Sequence, residues 1–526
     1  MTMNDRRFDI EGYVEDFSSV VGAYGLGADE SLEADRGVAR SIVPPGTAAV
    51  RDFSRLAPRI PELVADRCVG CMACVSACPD TAIFGIAQPE SVVAQSAAAL
   101  PQNERTEVMS HFVKTRKYAD VPAKRGLEPA LFGIFVDPVH CKGCGECVAV
   151  CTDLGHEALR MIDKASARGD PTPTLARYER DVRFFRRLPV TPEAYRNEKA
   201  LADLMLGEHA MGYVRGAGSC SGCGEGTAIR MLVAATRQVH GPEGMGIVAA
   251  TGCNTVFGST YPYNPYLIPW TNSLFENAPA DALGIRDRWD QAGHTDRRLW
   301  VMGGDGAMYD IGFQSLSRMV ASGADIKVLV LDTQVYSNTG GQSSTASFGG
   351  QVTKLSAFGK AIHGRPERRK ELGRILMAHG DVFVAQTTPA HQNHFYRAIL
   401  DANEYPGPAV VIVYAACMPE HGIADDAAAR QAKLAVDSRA FPLFAYDPRK
   451  GPTMKERLSL QGNPDPKADW TALPDGTAVD FLTFARTEGR FAQHFAADGT
   501  PTQEIRATQD DRLANWRGLQ ELAGVR

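Results

Sequence analysis

Two short runs of the chain, CVGCMACVSACP and CKGCGECVAVCT, place eight cysteines at positions 68, 71, 74 and 78 and at 141, 144, 147 and 151. Three cysteines spaced two residues apart let one tight loop offer thiolates to three corners of a cubane, and in this spacing the fourth cysteine serves the other cluster. The pattern therefore predicts two [4Fe-4S] sites with crossed ligation. Cys68, Cys71, Cys74 and Cys151 would hold one, and Cys141, Cys144, Cys147 and Cys78 the other. Zinc sites use two CxxC knuckles apiece, which triple runs do not match. Thr152 stands where the first run has Pro79, which weakens the turn signal without removing a ligand.

Four cysteines remain of twelve: Cys220 and Cys223 in a CxxC, and the single Cys253 and Cys417. Twelve is three times four, a count to test against three four-ligand sites. The chain has 526 residues, 44% of them apolar, enough for two or more cores, and 56 basic against 62 acidic residues give a net charge of −6. That balance supplies no basic field for nucleic acid. No run approaches a membrane span and the start lacks a signal-peptide apolar segment. The expectation is a soluble, cytoplasmic chain whose cysteines are thiols or metal ligands rather than disulfides.

Four segments are expected. Residues 1–55 are polar and read as an extension or linker; 56–165 carry the cysteine runs as a small ferredoxin-like two-cluster domain. Its boundary falls in KASARGDPTPT, from Lys164. Lys114, Arg116, Lys117, Lys124 and Arg125, between the runs, read first as an ordinary solvated loop, with a cationic patch for an acidic ferredoxin as the alternative. Over 166–440, short apolar runs (GMGIVAAT, LWVMGG, IKVLVLD, VFVAQ, AVVIVYAA) alternate with helix-length segments. Runs without polar alternation predict parallel strands covered on both faces, a doubly wound α/β domain. Residues 441–526 turn polar and Pro-rich, with a helix expected from Asp511 to Leu522 and a role in packing on a partner subunit.

In open α/β sheets ligands sit beyond the carboxyl ends of the strands. Cys253, Asp305, Thr333 with Asn338, and Cys417 each follow a predicted strand, so four strands would deliver polar groups to one edge. In GGDG, Gly304 and Gly306 flank Asp305 and let the backbone approach a ligand closely. Mg²⁺ favours one or two carboxylates together with phosphates, so Asp305 suits it, and LDTQVYSNTGGQ adds the oxygens of Thr333 and Asn338.

GDGAMYDIGFQSLSRMVASG followed by VLVLDTQVYSNTGGQSS resembles the thiamine diphosphate-binding region of pyruvate:ferredoxin (2-oxoacid:ferredoxin) oxidoreductases, as do GSCSGCGEG, ATGCN, PWTNSLFENAPADALGI and the Cys417 segment. The resemblance covers residues 40–430. It implies that Asp305 and Thr333 ligate Mg²⁺ by side chain and Val335 by its carbonyl, with Gly304, Gly306, Cys253 and Asn254 also at the cofactor. Asn338 would be an active-site asparagine near the thiazolium. Cys220, Cys223, Cys253 and Cys417 would hold a proximal [4Fe-4S] cluster.

The resemblance further implies oxidative decarboxylation of a 2-oxoacid, pyruvate first, to acyl-coenzyme A and CO₂, with the reverse reaction open. Electrons would pass through three clusters to ferredoxin or flavodoxin. The pyrimidine-binding and coenzyme A-binding domains of the family have no counterpart here, so the chain is expected to be a β-type subunit that works with an α/γ-type subunit. A non-redox thiamine enzyme would have no use for the cysteines, and a pure electron-transfer module none for Asp305, Thr333 and Asn338.

Overall fold

The computed structural model describes residues 10–32, 42–165, 169–197, 199–206, 212–258 and 260–526. The expected junction after Lys164 lies partly outside them. The N-terminal segment, read as a linker, forms the helix Ile10–Gly25.

Both cysteine runs are pinned by short antiparallel strands. Strand β1 (Arg59–Leu63) pairs with β5 (Leu159–Asp163), while β2 (Ile83–Pro89), β3 (Phe112–Lys114) and β4 (Ala130–Val136) form a sheet in the order β2-β4-β3. Each run ends in a short helix, Ala73–Ala77 and Glu146–Asp153, and these two helices pack together. Such a layout lets the fourth cysteine of each run approach the loop of the other.

The second unit is an eight-stranded sheet. Strands β6 (Met245–Ala250), β7 (Trp270–Ser273), β8 (Arg298–Gly304), β9 (Ile326–Asp332), β10 (Phe383–Thr387) and β11 (Ala409–Tyr414) run parallel in the order β7-β6-β8-β9-β11-β10. Strands β6, β9, β10 and β11 are buried along their whole length, which is why they read as unbroken apolar runs. Lys327 in β9 is buried as well; its ammonium donates to the Gly407 carbonyl at 2.8 Å and pairs with Asp325 at 2.5 Å. From β6 the chain moves outward to β7 and then crosses back to β8 on the other side. The crevice between the ends of β6 and β8 is therefore a topological switch point, where ligands of such sheets bind.

The C-terminal segment departs from expectation. Strands β12 (Phe444–Tyr446) and β13 (Leu458–Ser459) extend the sheet antiparallel beyond β10. Phe481, Phe484, Phe491, Ile505 and Trp516 are fully buried against the same core. The terminal helix runs from Gln503 to Leu522, opened by Thr502, whose hydroxyl caps the Ile505 amide. The segment packs on its own sheet; its polar composition hid a sparse set of large aromatic residues.

Candidate functional site

Asp305 follows β8 and is 1% exposed. The backbone amide and hydroxyl of Thr333, after β9, donate to its Oδ1 at 3.3 and 3.0 Å, and the Ser344 hydroxyl donates to Oδ2. Thr333 Oγ1 also lies 2.9 Å from the Val335 carbonyl oxygen. The structure thus brings together the three expected Mg²⁺ ligands. Burial, and then the charge of Asp332, push the Asp305 carboxyl up to about 7. A buried carboxylate among hydroxyl and carbonyl oxygens fits a hard divalent cation, whose charge would remove that penalty.

The cavity beside Asp305 is lined by Gly304, Gly306, Cys253, Val335, Asn338 and Glu225, among others. A Cβ on Gly304 would meet only the Leu331 carbonyl, at 3.9 Å, so this stretch of backbone is open to a ligand; one on Gly306 would strike the Tyr336 ring at 2.2 Å. Asn254 is fully buried, and neither atom of its side-chain amide has a hydrogen-bond partner. Unsatisfied buried amides of this kind are met in native proteins chiefly where a ligand or water completes them.

Val335 is presented by a strained residue. Gln334 is fully buried at φ +57°. Its carbonyl accepts from Ser347 at 2.6 Å and Gln351 at 2.9 Å, and its Oε1 from Arg490 at 3.1 Å. His421 Nε2 faces the Thr333 carbonyl oxygen at 2.8 Å, and Glu488, at 3.6 Å from His421 Nδ1, also pairs with Arg490. Burial, followed by the charge of Arg490, holds the His421 imidazolium well below its usual range, so the ring is neutral. Residues far apart in sequence therefore fix the loop from behind.

Cys220, Cys223, Cys253 and Cys417 line one cavity with Glu225, Thr333 and Asn338, and Cys253 borders the Asp305 cavity as well. Two glycines permit the convergence. Gly222 sits at φ +72°, with space for a Cβ closed by the Asp425 carbonyl at 1.9 Å; at Gly224 a Cβ would lie 2.5 Å from the Ala416 amide nitrogen. Cys223 caps the helix Gly224–His240 with its thiol, and Cys417 occupies the position just ahead of the turn Met418–His421.

The two runs lie close enough for their cysteines to act on one another. Cys68 feels the charges of Cys71 and Cys151, and Cys74 those of Cys71, Cys68 and Cys151. Cys78 acts likewise on Cys141, Cys144 and Cys147. Burial pushes the thiols up, Cys68 to about 11 and Cys141 and Cys417 to about 12, so thiolates here require a metal's positive charge. Among the described residues no group of three or more His, Cys, Asp or Glu side chains is arranged to hold a single metal ion. All twelve cysteines are free thiols, and Cys71 and Cys220 are exposed.

The alternative cationic patch is partly consumed. Lys114 pairs with Glu90 at 2.7 Å, Lys117 with the buried Asp203, and Arg125 donates to the Ala194 carbonyl at 2.6 Å. Sequence reasoning missed Glu225, Gln334, His421 and Arg490. Glu225, two residues after Cys223, carried a signal in its position; burial, followed by the charge of Asp305, pushes it up to about 8. The others belong to no local pattern.

A parallel sheet with a carboxylate–hydroxyl cavity at its switch point, joined to a unit with ferredoxin cysteine spacing, defines an α/β thiamine diphosphate-type protein with a 4Fe-4S module. Residues 250–413 match the thiamine pyrophosphate enzyme C-terminal TPP binding domain, and residues 61–84 the 4Fe-4S binding domain. The chain is 30% identical over 498 residues to a probable pyruvate-flavodoxin oxidoreductase of Escherichia coli (strain K12), covering 82% of this chain and 39% of that protein. It is 29% identical over 487 residues to the pyruvate:ferredoxin oxidoreductase of Moorella thermoacetica, covering 78% and 38%. A solved 2-oxoglutarate:ferredoxin oxidoreductase from Magnetococcus marinus aligns over 38% of this chain and 64% of that one, with 23% identity and a TM-score of 0.32. The chain is a relative of the pyruvate:ferredoxin and pyruvate-flavodoxin oxidoreductases and spans less than half of the length of these curated relatives.

Proposed function

We propose that this chain is the cofactor- and cluster-bearing part of a 2-oxoacid:ferredoxin oxidoreductase that converts a 2-oxoacid, pyruvate first, and coenzyme A to acyl-coenzyme A and CO₂, in either direction. The observation that carries the reading is Cys253, which borders both the Asp305 cavity and the four-cysteine cavity. A carbon-chemistry site and a redox site with a shared wall suit a reaction that must remove electrons from the carbon it has just cleaved.

Asp305, Thr333 and the Val335 carbonyl would hold Mg²⁺ against the diphosphate, Gly304 would let the backbone close on it, and Asn254 and Asn338 would orient the cofactor. Thiamine diphosphate, when bound, supplies the nucleophile for the 2-oxo carbon and the electron sink for loss of CO₂. The three cysteine tetrads would hold [4Fe-4S] clusters, which supply one-electron capacity. Their order in space supports a linear arrangement. Pro79, beside Cys78, packs near Gly226, and Lys142, beside Cys141, contacts Ser219, so the Cys78/Cys141/Cys144/Cys147 tetrad adjoins the Cys220 tetrad. Cys71 gives the remaining tetrad its access to the surface.

Pyrimidine-binding and coenzyme A-binding functions would come from an α/γ-type partner, and ferredoxin or flavodoxin would take the electrons. Among the described residues no helix is long and apolar enough to cross a membrane, and unpaired thiols suit a reducing cytoplasm. The test is anaerobic co-purification with the partner followed by assay of pyruvate- and coenzyme A-dependent reduction of ferredoxin or a viologen. Carbon chemistry without reduction of either acceptor would refute the reading.

A further inference from the structure

Lysines in the loop of a cysteine run ordinarily point to water, yet the Lys142 side chain is 7% exposed. Its ammonium lies 2.9 Å from Asp80 Oδ1, two residues beyond Cys78. It also reaches Gly216 O at 3.0 Å, Ser219 O at 2.9 Å and Ser219 Oγ at 2.6 Å, in the loop that leads into Cys220. The Phe53 ring closes the remaining side, with its centroid 5.1 Å from the ammonium. One cation thus ties together the flank of Cys78, the residue after Cys141 and the loop before Cys220, and its three donors face oxygen acceptors.

Two arginines join Lys142 around Asp80. Arg215 and Arg230 are fully buried, and both interact with Asp80. Arg230 donates to the Cys78 carbonyl at 3.0 Å, and the Arg215 guanidinium lies 4.8 Å from the centroid of the same Phe53 ring. Lys142 and the two arginines thus converge on Asp80 between the Cys78 and Cys220 cysteines, with Asp137 and Asp52 also acting on Arg215. An iron–sulfur cluster on four thiolates is anionic and gains a further negative charge on reduction, and its potential follows local charge and burial. A fixed cation beside it favours the reduced form, and low-dielectric surroundings enlarge that effect.

We propose that Lys142 is a positioning residue that sets the potentials of the two clusters on either side of it, fixing the Gly216–Cys220 loop against the second cysteine run and raising both flanking clusters relative to the one on Cys68, Cys71, Cys74 and Cys151. This rests on the three-cluster reading above. Iron analysis of the wild-type chain tests that reading separately: loss of the Cys220 cluster from the count would remove that reading, while the effect of Lys142 on the cluster at Cys78 and Cys141 would still be measured.

The experiment is a potentiometric titration of the anaerobically purified full chain, followed by electron paramagnetic resonance, on wild type, Lys142→Met, Lys142→Arg and Ser219→Ala. Lys142→Met should lower the two flanking potentials by about tenfold in each one-electron equilibrium, about 59 mV, and leave the third in place. Lys142→Arg should restore most of the shift, and Ser219→Ala, which keeps the charge, should produce none. Unchanged potentials in Lys142→Met, or an equal shift in all three clusters, would overturn the proposal. Iron loss from the Cys220 site with unshifted potentials elsewhere would also overturn it, by reducing Lys142 to a structural clamp.

Discussion

The guanidinium of Arg490 donates to Gln334 Oε1 across 3.1 Å, joining the C-terminal segment to the loop between Thr333 and Val335. Gln334 occupies left-handed backbone space that a non-glycine residue holds only when its surroundings dictate it. Arg490→Met would strip Gln334 Oε1 of its donor and Glu488 of its guanidinium, leaving that buried carboxylate the Tyr414 hydroxyl at 2.9 Å. A loss of about 1–3 kcal/mol, roughly 5- to 150-fold, is expected in Mg²⁺-dependent thiamine diphosphate affinity. Equal affinity in wild type and variant by calorimetric titration would contradict this role.

Asp305 is the carboxylate among the proposed Mg²⁺ ligands. Asp305→Ala should abolish retention of thiamine diphosphate through gel filtration while the iron content stays at the wild-type level, because Asp305 contacts no cysteine tetrad by hydrogen bond. Retained cofactor would remove the GGDG turn from the diphosphate site.

With four thiols in each tetrad, the anaerobically purified chain should carry about twelve irons and about twelve acid-labile sulfides. Cys417→Ser should lower both counts by about four through loss of the site nearest the Asp305 cavity. A full count together with normal electron delivery to ferredoxin would place Cys417 off the path.

Gly222 offers a backbone test of the same tetrad. Gly222→Ala forces a side chain into φ +72° and to within 1.9 Å of the Asp425 carbonyl, so the loop from Cys220 to Cys223 must shift. The Cys220 cluster should be lost while the spectrum of the two run clusters persists. An intact third cluster in this variant would mean that the loop tolerates the displacement.

Much of this was legible because local chemistry imposes local spacing. The crossed pairing of Cys78 with Cys141, Cys144 and Cys147 could be read from the intervals alone, since a tight loop reaches three corners of a cubane and not the fourth. The parallel strands declared themselves as unbroken apolar runs, and Asp305 and Thr333 by their places just after two of them. His421 and Arg490 stayed hidden because their partners, Thr333 and Gln334, lie 88 and 156 residues away and no short-range period links them. The C-terminal segment was misread for a related reason. Its buried residues are few and irregularly spaced, so Phe481, Phe484, Phe491 and Trp516 make no stripe that a window of sequence would detect.

The hydrophobic cluster that begins at Ile60 continues without interruption through Phe132 and Phe135 to Ile247, Trp300 and Val413. The cysteine-rich unit and the large sheet are therefore cast in a single block, with no greasy seam along which one could swing from the other. The gaps between the proposed clusters would then be lengths set once, at folding, as in a soldered wire rather than a carrier on a tether. Loosening the block at Phe132, Met205 or Phe395 would lengthen the gaps between the proposed clusters, so such core substitutions should slow acceptor reduction before they unfold the chain.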